Sequence, residues 1–351
     1  MKFRSTRVAI LAPAVATVLA VAGCGSDSSG EADDAAAGAK AGDVTLTVYN
    51  AQHESLTKEW ADAFTRESGI KVALRNGDDF EMANQIKQEG SASPADVFLT
   101  ENSPAMTVVE NAGLFADVEK STLDQVPSRY QPSTGKWVGI AARSTVFIYN
   151  TSKLTEAQLP TSIMELADPT WKGKWGASPS GADFQAIVSA MLELKGAEAT
   201  QSWLDAMKTN AEPYKGNSAV MKAVNAGQLD GGVIYHYYWA GDQSKTKENS
   251  NNTKLHYFGN QDPGAFVSLS GGGVLKSSKH AEAAQKFLKF VTGKSGQQIL
   301  TSGTSFEYPV GSEVAAHPAL KPLAELGEPD IDEAKLNGPE VVQMMTKAGI
   351  L

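Results

Sequence analysis

The sequence predicts an α/β protein built as two blocks of alternating strands and helices, joined by two further strands. Three observations lead there. Strand-period and helix-period runs alternate from residue 44 to about 100, which argues for a mainly parallel sheet. The alternation resumes from Phe184 onward. Two apolar runs, at 138–149 and 265–275, stand between the blocks.

Residues 44–50 (VTLTVYN) place Val44, Leu46 and Val48 on one face of a strand. Leu56, Trp60 and Phe64 recur at helical spacing, and Gly69 closes that helix. A second alternating strand covers 70–74, a polar amphipathic helix Asp79–Glu89, and a short apolar strand 95–99, ending at Thr100 and Glu101. In the second block Phe184, Ile187, Val188, Met191 and Leu192 mark one helix. Trp203, Leu204 and Met207 mark another, and Val220 and Val224 a third. A strand is expected over 232–238 (GVIYHYY) and a helix over 281–291, with Ala284, Phe287, Leu288 and Val291 on one side. The joining strands run 138–140 into 144–149, and 265–275, whose glycines 271–273 are expected to absorb backbone rotation. Two lobes joined in this way make a hinge over a cleft.

A chain of 351 residues is long enough for two domains. Its formal charge is −9, from 31 basic and 40 acidic residues. An acidic chain gains no counterion-release energy from a phosphate backbone, which excludes nucleic-acid binding as its main work. The single cysteine, Cys24, excludes an internal disulfide framework and multi-cysteine metal sites. Residues 1–23 carry Lys2, Arg4 and Arg7, no acid, and an apolar run over 8–21. That run is short for a bilayer, Pro13 interrupts it, and it reads as a secretory signal. Ala22 and Gly23 before Cys24 resemble the lipobox of bacterial lipoproteins. The resemblance implies removal of 1–23, lipidation of Cys24 and an extracytoplasmic protein anchored to the cell membrane. The remaining chain would carry 28 basic and 40 acidic residues, a charge of −12. Gly, Ser, Ala and Asp dominate 25–43, so 24–43 reads as anchor and flexible tether.

No G-x-S-x-G or H-E-x-x-H signature occurs, and Leu288 stands where a P-loop ending at Gly293-Lys294-Ser295 needs its first glycine. The chain therefore reads as a binding protein, not an enzyme. Ligands in open α/β sheets bind beyond the carboxyl ends of strands. Three expected strands end in donor residues: His53 after the first, Glu101 and Asn102 after 95–99, and Tyr237 and Tyr238 after 232–236. An imidazole, a carboxylate and two phenols suit a hard, highly charged cation. A phenol with an ordinary pKa near 10 surrenders its proton only to a strong Lewis acid, so ferric iron fits where calcium and magnesium do not. Absent thiolates count against copper(I) and structural zinc. Singly, each residue has a plainer reading: 235–239 (YHYYW) as an aromatic core strand, His53 as a cap, Glu101 as a solvated helix start. The run 178–183 (SPSGAD) opens a helix with Ser180 or a neighbour as N-cap, and bare N–H groups there either bind an anion or are simply capped.

In order along 44–350, the runs LTVYNAQH (46–53) and SPADVF (93–98), then Glu101, Ser180-Gly181-Ala182, Asn217-Ser218, Tyr237-Tyr238-Trp239 and DPGA (262–265) resemble periplasmic ferric-ion-binding proteins of bacterial ABC importers. The resemblance implies a two-lobed type II periplasmic-binding-protein fold with two hinge strands and a central cleft. The lobes would be 44–142 with about 268–318, and 143–267 with about 319–351. It implies Fe3+ held by His53, Glu101, Tyr237 and Tyr238. A phosphate- or carbonate-like synergistic anion would rest on Ser180, Gly181, Ala182 and Asn217, with Asn102 beside it and Arg143 adding positive charge at the hinge. Three residues depart from the family pattern: Tyr235-His236 replaces an asparagine pair, and Asn102 replaces a glutamine. The function implied is a monomeric, lipid-anchored iron receptor that serves an ABC permease. A receptor for another solute, such as a polyamine, thiamine, a phosphonate or a sugar, is the alternative.

Overall fold

A computed structural model describes residues 44–351 apart from Ser312. The signal segment, Cys24 and the tether lie outside the described residues. Among the described residues no helix is long and apolar enough to cross a membrane.

The chain begins β1 (Thr45–Asn50), α1 (Glu54–Ser68), β2 (Lys71–Asn76), α2 (Asp79–Glu89), β3 (Val97–Leu99), α3 (Ser103–Asn111) and a short α4 (Lys120–Leu123). It continues β4 (Val138–Asn150), β5 (Trp175–Ala177), α5 (Ala182–Asn210), β6 (Ala211–Pro213), α6 (Asn217–Asn225), β7 (Gly231–Tyr235), α7 (His236–Gln243) and β8 (Thr253–His256). It closes with β9 (Val267–Val274), α8 (Ala281–Thr292), α9 (Lys294–Ser302) and α10 (Gly338–Ala348).

Two sheets follow from the pairings. In the first, β1 lies between parallel β2 and β3, and β3 runs antiparallel to β9. Leu46 and Val48 are fully buried there, as the alternation requires. Leu56, Trp60 and Phe64 turn α1 onto this sheet, and Gly69 ends the helix in the left-handed conformation at φ 76°. In the second sheet β7 lies between antiparallel β4 and parallel β5, with β6 beyond β5 and β8 along β4. The crossing strand is β4. Its residues 138–144 pair with β9, and its residues 145–149 pair with β7. This is the two-lobed type II fold, with β4 and β9 as the strands between the lobes.

Two expectations change, and a third holds. The strand expected over 232–238 stops at Tyr235, because its partner β4 leaves the second sheet at the Thr145–Tyr235 pair and turns to β9 from Ser144. Without a partner the chain turns into α7, so Tyr237 and Tyr238 sit on the first turn of a helix. The two helices expected around Phe184 and Trp203 are present within α5, which is two helices meeting at Gly196, where φ is 77° and ψ 169°. The glycines 271–273 do not serve as a flexible segment. A Cβ there would lie 2.4 Å from Met106 Cγ, 2.6 Å from Leu288 Cδ1 and 2.6 Å from Phe115 Cε1, respectively. They are small because helix and strand side chains rest directly on their backbone.

Candidate metal centre

The site is assembled from the carboxyl ends of β1, β3, β5 and β7. His53 is the N-cap of α1. Its backbone is fixed on both sides: its N–H donates to Gln52 Oε1 at 2.6 Å, and its carbonyl accepts from Thr57 Oγ1 at 3.0 Å. Its imidazole is thereby aimed across the cleft, with Nε2 3.6 Å from Glu101 Oε1. Glu101 follows β3 and is held by the buried carboxylate of Asp79. Asp79 Oδ1 accepts the Glu101 N–H at 2.8 Å, and Oδ2 accepts the Asn102 N–H at 2.9 Å.

From the second lobe, Tyr237 Oη donates to Glu101 Oε1 at 2.8 Å. The Tyr237 and Tyr238 rings stack with centroids 4.2 Å apart, and the His53 ring meets Tyr237 edge-on at 5.3 Å. His53, Glu101, Tyr237 and Tyr238 are therefore brought together.

One site residue escaped the sequence reading. Asp183, in the first turn of α5, is buried with its carboxylate among these groups. Asp183 Oδ2 accepts from Asn217 Nδ2 at 2.6 Å and Tyr238 Oη at 3.2 Å, and lies 3.5 Å from Tyr237 Oη. Burial, and then the nearby charge of Glu101, push its carboxyl up to about 7. An acid in a first helical turn ordinarily signals only the helix dipole, which hid this one. Among the described residues no three His, Cys, Asp or Glu side chains converge on one point, so a metal here depends on the phenols.

The phenols are strongly biased toward their neutral form. Burial raises the Tyr237 and Tyr238 hydroxyls above the ordinary value, and the carboxylates of Asp183 and Glu101 add to the shift. The donors are a ring nitrogen, two carboxylates and two phenols, all hard or borderline.

The residues expected to hold an anion divide. Ser180, Gly181, Ala182 and Asn217 line a cavity of about 750 Å3 beside the donors, walled also by Asp78, Phe80 and Val342. Gly181, not Ser180, is the N-cap of α5. The amide of Asn217 is already engaged by Asp183. Asn102 and Arg143 do not line that cavity. Arg143 is fully buried against Glu307 and donates from Nη2 to Ser270 Oγ at 2.8 Å, with Cζ 5.7 Å from the centre of the Tyr237 ring. Its charge sits beneath the ligands rather than in the cleft. Both ring nitrogens of His236 are spent: Nδ1 accepts the Ser144 N–H at 3.1 Å and Nε2 donates to the Phe306 carbonyl at 2.8 Å. Burial lowers this imidazole to about 4, so it is a neutral pin under α7.

Residues 92–337 match the family model for bacterial extracellular solute-binding proteins. The chain is 64% identical over 313 residues to an Fe(3+)-binding periplasmic protein of Serratia marcescens, covering 89% of this chain and 93% of that one. It is 37% identical over 308 residues to the major ferric iron-binding protein of Neisseria meningitidis, covering 87% and 93%. Among solved structures it is similar to iron-bound HitA from Pseudomonas aeruginosa, with 43% identity, a TM-score of 0.81, and coverage of 87% of this chain and 99% of that one.

Proposed function

The chain belongs to the bacterial extracellular solute-binding proteins, among their periplasmic ferric-ion-binding members, and from that premise we propose that it captures Fe3+ in the cleft between its lobes. It is a transport receptor rather than an enzyme. The observation that carries the reading is the pair of adjacent phenols, Tyr237 bonded to Glu101, which His53 flanks, and Tyr238 bonded to Asp183. Phenols biased so firmly toward the neutral state yield their protons only to a cation of high charge density. The cargo is then bridged by His53 and Glu101 from one lobe and by Tyr237, Tyr238 and Asp183 from the other. Its binding free energy is spent on the closed form.

The lobes are taken as 44–142 with about 268–318, and 143–267 with about 319–351. The change of partner along β4 between Ser144 and Thr145 supports that division. The position of Asp183 supports a further refinement. The carboxylate already sits on Asn217 and both phenols, where a phosphate- or carbonate-like anion was expected. The protein's own acid supplies that negative oxygen, and any external anion becomes an accessory on Ser180, Gly181 and Ala182. In the full reading Cys24 carries a lipid, the tether holds the domain at the outer face of the cell membrane, and a membrane permease of the ABC class receives the iron.

Titration of the full chain with ferric nitrilotriacetate, with and without phosphate, tests the cargo. Phenolate-to-iron charge transfer should colour the protein in both conditions. A chain that stays colourless at saturating iron overturns the assignment in favour of another solute.

A further inference from the structure

Asn102 stands where an anion contact was expected, yet its amide has no capacity left for one. Its Nδ2 donates to Asp79 Oδ2 at 3.2 Å and to Asp183 Oδ1 at 3.0 Å. Its Oδ1 accepts from Ser268 Oγ at 3.0 Å, and the Tyr235 hydroxyl shares its one proton between that Oδ1 at 3.4 Å and the Asp183 carbonyl at 3.3 Å. Two donors and two acceptor positions are the whole inventory of a side-chain amide. The partners divide by place. Asp79 belongs to the first lobe and Ser268 to the crossing strand β9, while Asp183 and Tyr235 belong to the second lobe. All five residues are buried.

We propose that Asn102 is an interlobe latch, a neutral amide that ties Asp183 of the second lobe to Asp79 of the first, with the Tyr235 hydroxyl beside it, and stabilises the closed cleft relative to the open one. The proposal rests on the reading of the cleft as one that closes around Fe3+. Closure brings the buried acids Asp79 and Asp183 toward each other, and an unpaired acid at such a place is costly. The two N–H bonds of one amide lie between them and satisfy one oxygen on each. A charged side chain at 102 would add its own desolvation cost, and an apolar one would leave Asp183 Oδ1 bare and Asp79 Oδ2 with only the backbone N–H of residue 102.

The latch also sets the register of the ligands. Asn102 directly follows Glu101, and Tyr235 stands two residues before Tyr237. Tying 102 to 235 holds the Glu101 carboxylate opposite the Tyr237 hydroxyl, the 2.8 Å contact described above. When the lobes part, water replaces these bonds. The latch is therefore worth only the net of about one hydrogen bond per contact, roughly two- to tenfold in the closed–open equilibrium. That bias is small enough to leave the open form accessible to the cation.

The test uses Tyr235→Phe in the full chain, which deletes one hydroxyl and keeps the ring. Small-angle scattering without iron should show a larger radius of gyration than wild type, and saturation with ferric nitrilotriacetate should remove the difference. Release of bound iron to excess EDTA, followed by charge-transfer absorbance, should be roughly two- to tenfold faster, with the band unmoved. Asn102→Ala, which removes the amide bonded to Asp183 in the second lobe, carries the same expectation if the tyrosine variant does not fold. Iron-free scattering identical to wild type in a folded variant, or unchanged release, overturns the latch. The scattering arm needs no iron, so loss of the charge-transfer band in wild type would count against the cargo and leave the latch to be judged on shape alone.

Discussion

At the level of single residues the candidate centre holds two phenols and one carboxyl, Tyr237, Tyr238 and Asp183, that burial biases toward their neutral forms. Replacing Tyr238 by Phe deletes one phenol oxygen and keeps the stacked ring. Ferric affinity, measured by competition with a chelator, should fall by more than about a hundredfold, beyond the 10–100-fold typical of losing an outer-shell contact. Unchanged affinity would remove the phenols from the site. Loading wild type should release protons from both phenols, since each is held neutral beforehand. The variant should release about one fewer in a pH-stat measurement. Asp183→Asn keeps the shape and removes the negative oxygen. Iron binding by that variant should become dependent on added phosphate, with affinity at least about tenfold higher in its presence, a difference near 1.4 kcal/mol. Phosphate-independent binding by the variant would deny Asp183 its place. His53, Glu101, Tyr237 and Tyr238 were readable because each follows a strand end, where an α/β sheet presents its ligands. Asp183 was not, because nothing in a linear pattern brings the start of α5 onto the tyrosines. The bonds of Asn102 to Asp79 and Asp183, and of Arg143 to Glu307 and Ser270, are not legible in a linear pattern, since a partner is fixed by tertiary contact.

Among the elements, periodicity recovered those whose burial is one-sided. The 3.6-residue stripe of α1 is imposed by one buried face, and the start of β1 alternates likewise, although Tyr49 buries its other face farther on. It failed at β7, which is fully buried and ends for want of a partner. The residues that follow, His236 to Trp239, are aromatic enough to pass for more strand, yet they form the turn of helix that presents both phenols. It failed also at the glycines of β9, whose role is close approach rather than rotation. Gly271→Ala would drive a Cβ to 2.4 Å from Met106 Cγ, an atom too near its own backbone to swing away cheaply. A loss of about 1–3 kcal/mol is expected by chemical denaturation. A change within experimental error would restore the glycines to a hinge role.

For the whole molecule, the two-lobe plan was visible in the interruption of one α/β block by apolar strands, but the path of the C-terminus was not. Residues 333–338 do not rest only on the second lobe. Glu333 accepts the Ser103 hydroxyl, Thr107 Oγ1 donates to the Leu336 carbonyl at 2.9 Å, and a Cβ on Gly338 would lie 2.5 Å from Phe80. From there α10 packs on α5, with Gln201 Nε2 reaching the Met344 carbonyl at 3.4 Å. The segment is thus a third tie between the lobes, and it is pinned to the first by a carboxyl that is 4% exposed. Burial, with the neighbouring Asp332 adding to it, pushes that carboxyl from 4.5 up to about 8. The sign follows from proton binding. Between these two values the folded protein holds a proton that the unfolded chain has released. The contribution to stability is therefore complete below 4.5 and is lost as pH rises through about 8. The slope for one such proton is about 1.4 kcal/mol per pH unit. The iron-free protein should lose stability as pH is raised across this interval, and Glu333→Gln, which keeps the hydrogen bond without the titration, should flatten that part of the curve. The buried acids Asp79 and Asp183, both raised by burial, would keep their own share of the slope. Midpoints of urea unfolding for wild type and variant from pH 5 to 9 measure the difference. Parallel curves would mean that the tie between Glu333 and Ser103 opens before the carboxyl ionises, and that the C-terminal segment leaves the first lobe without cost to the fold.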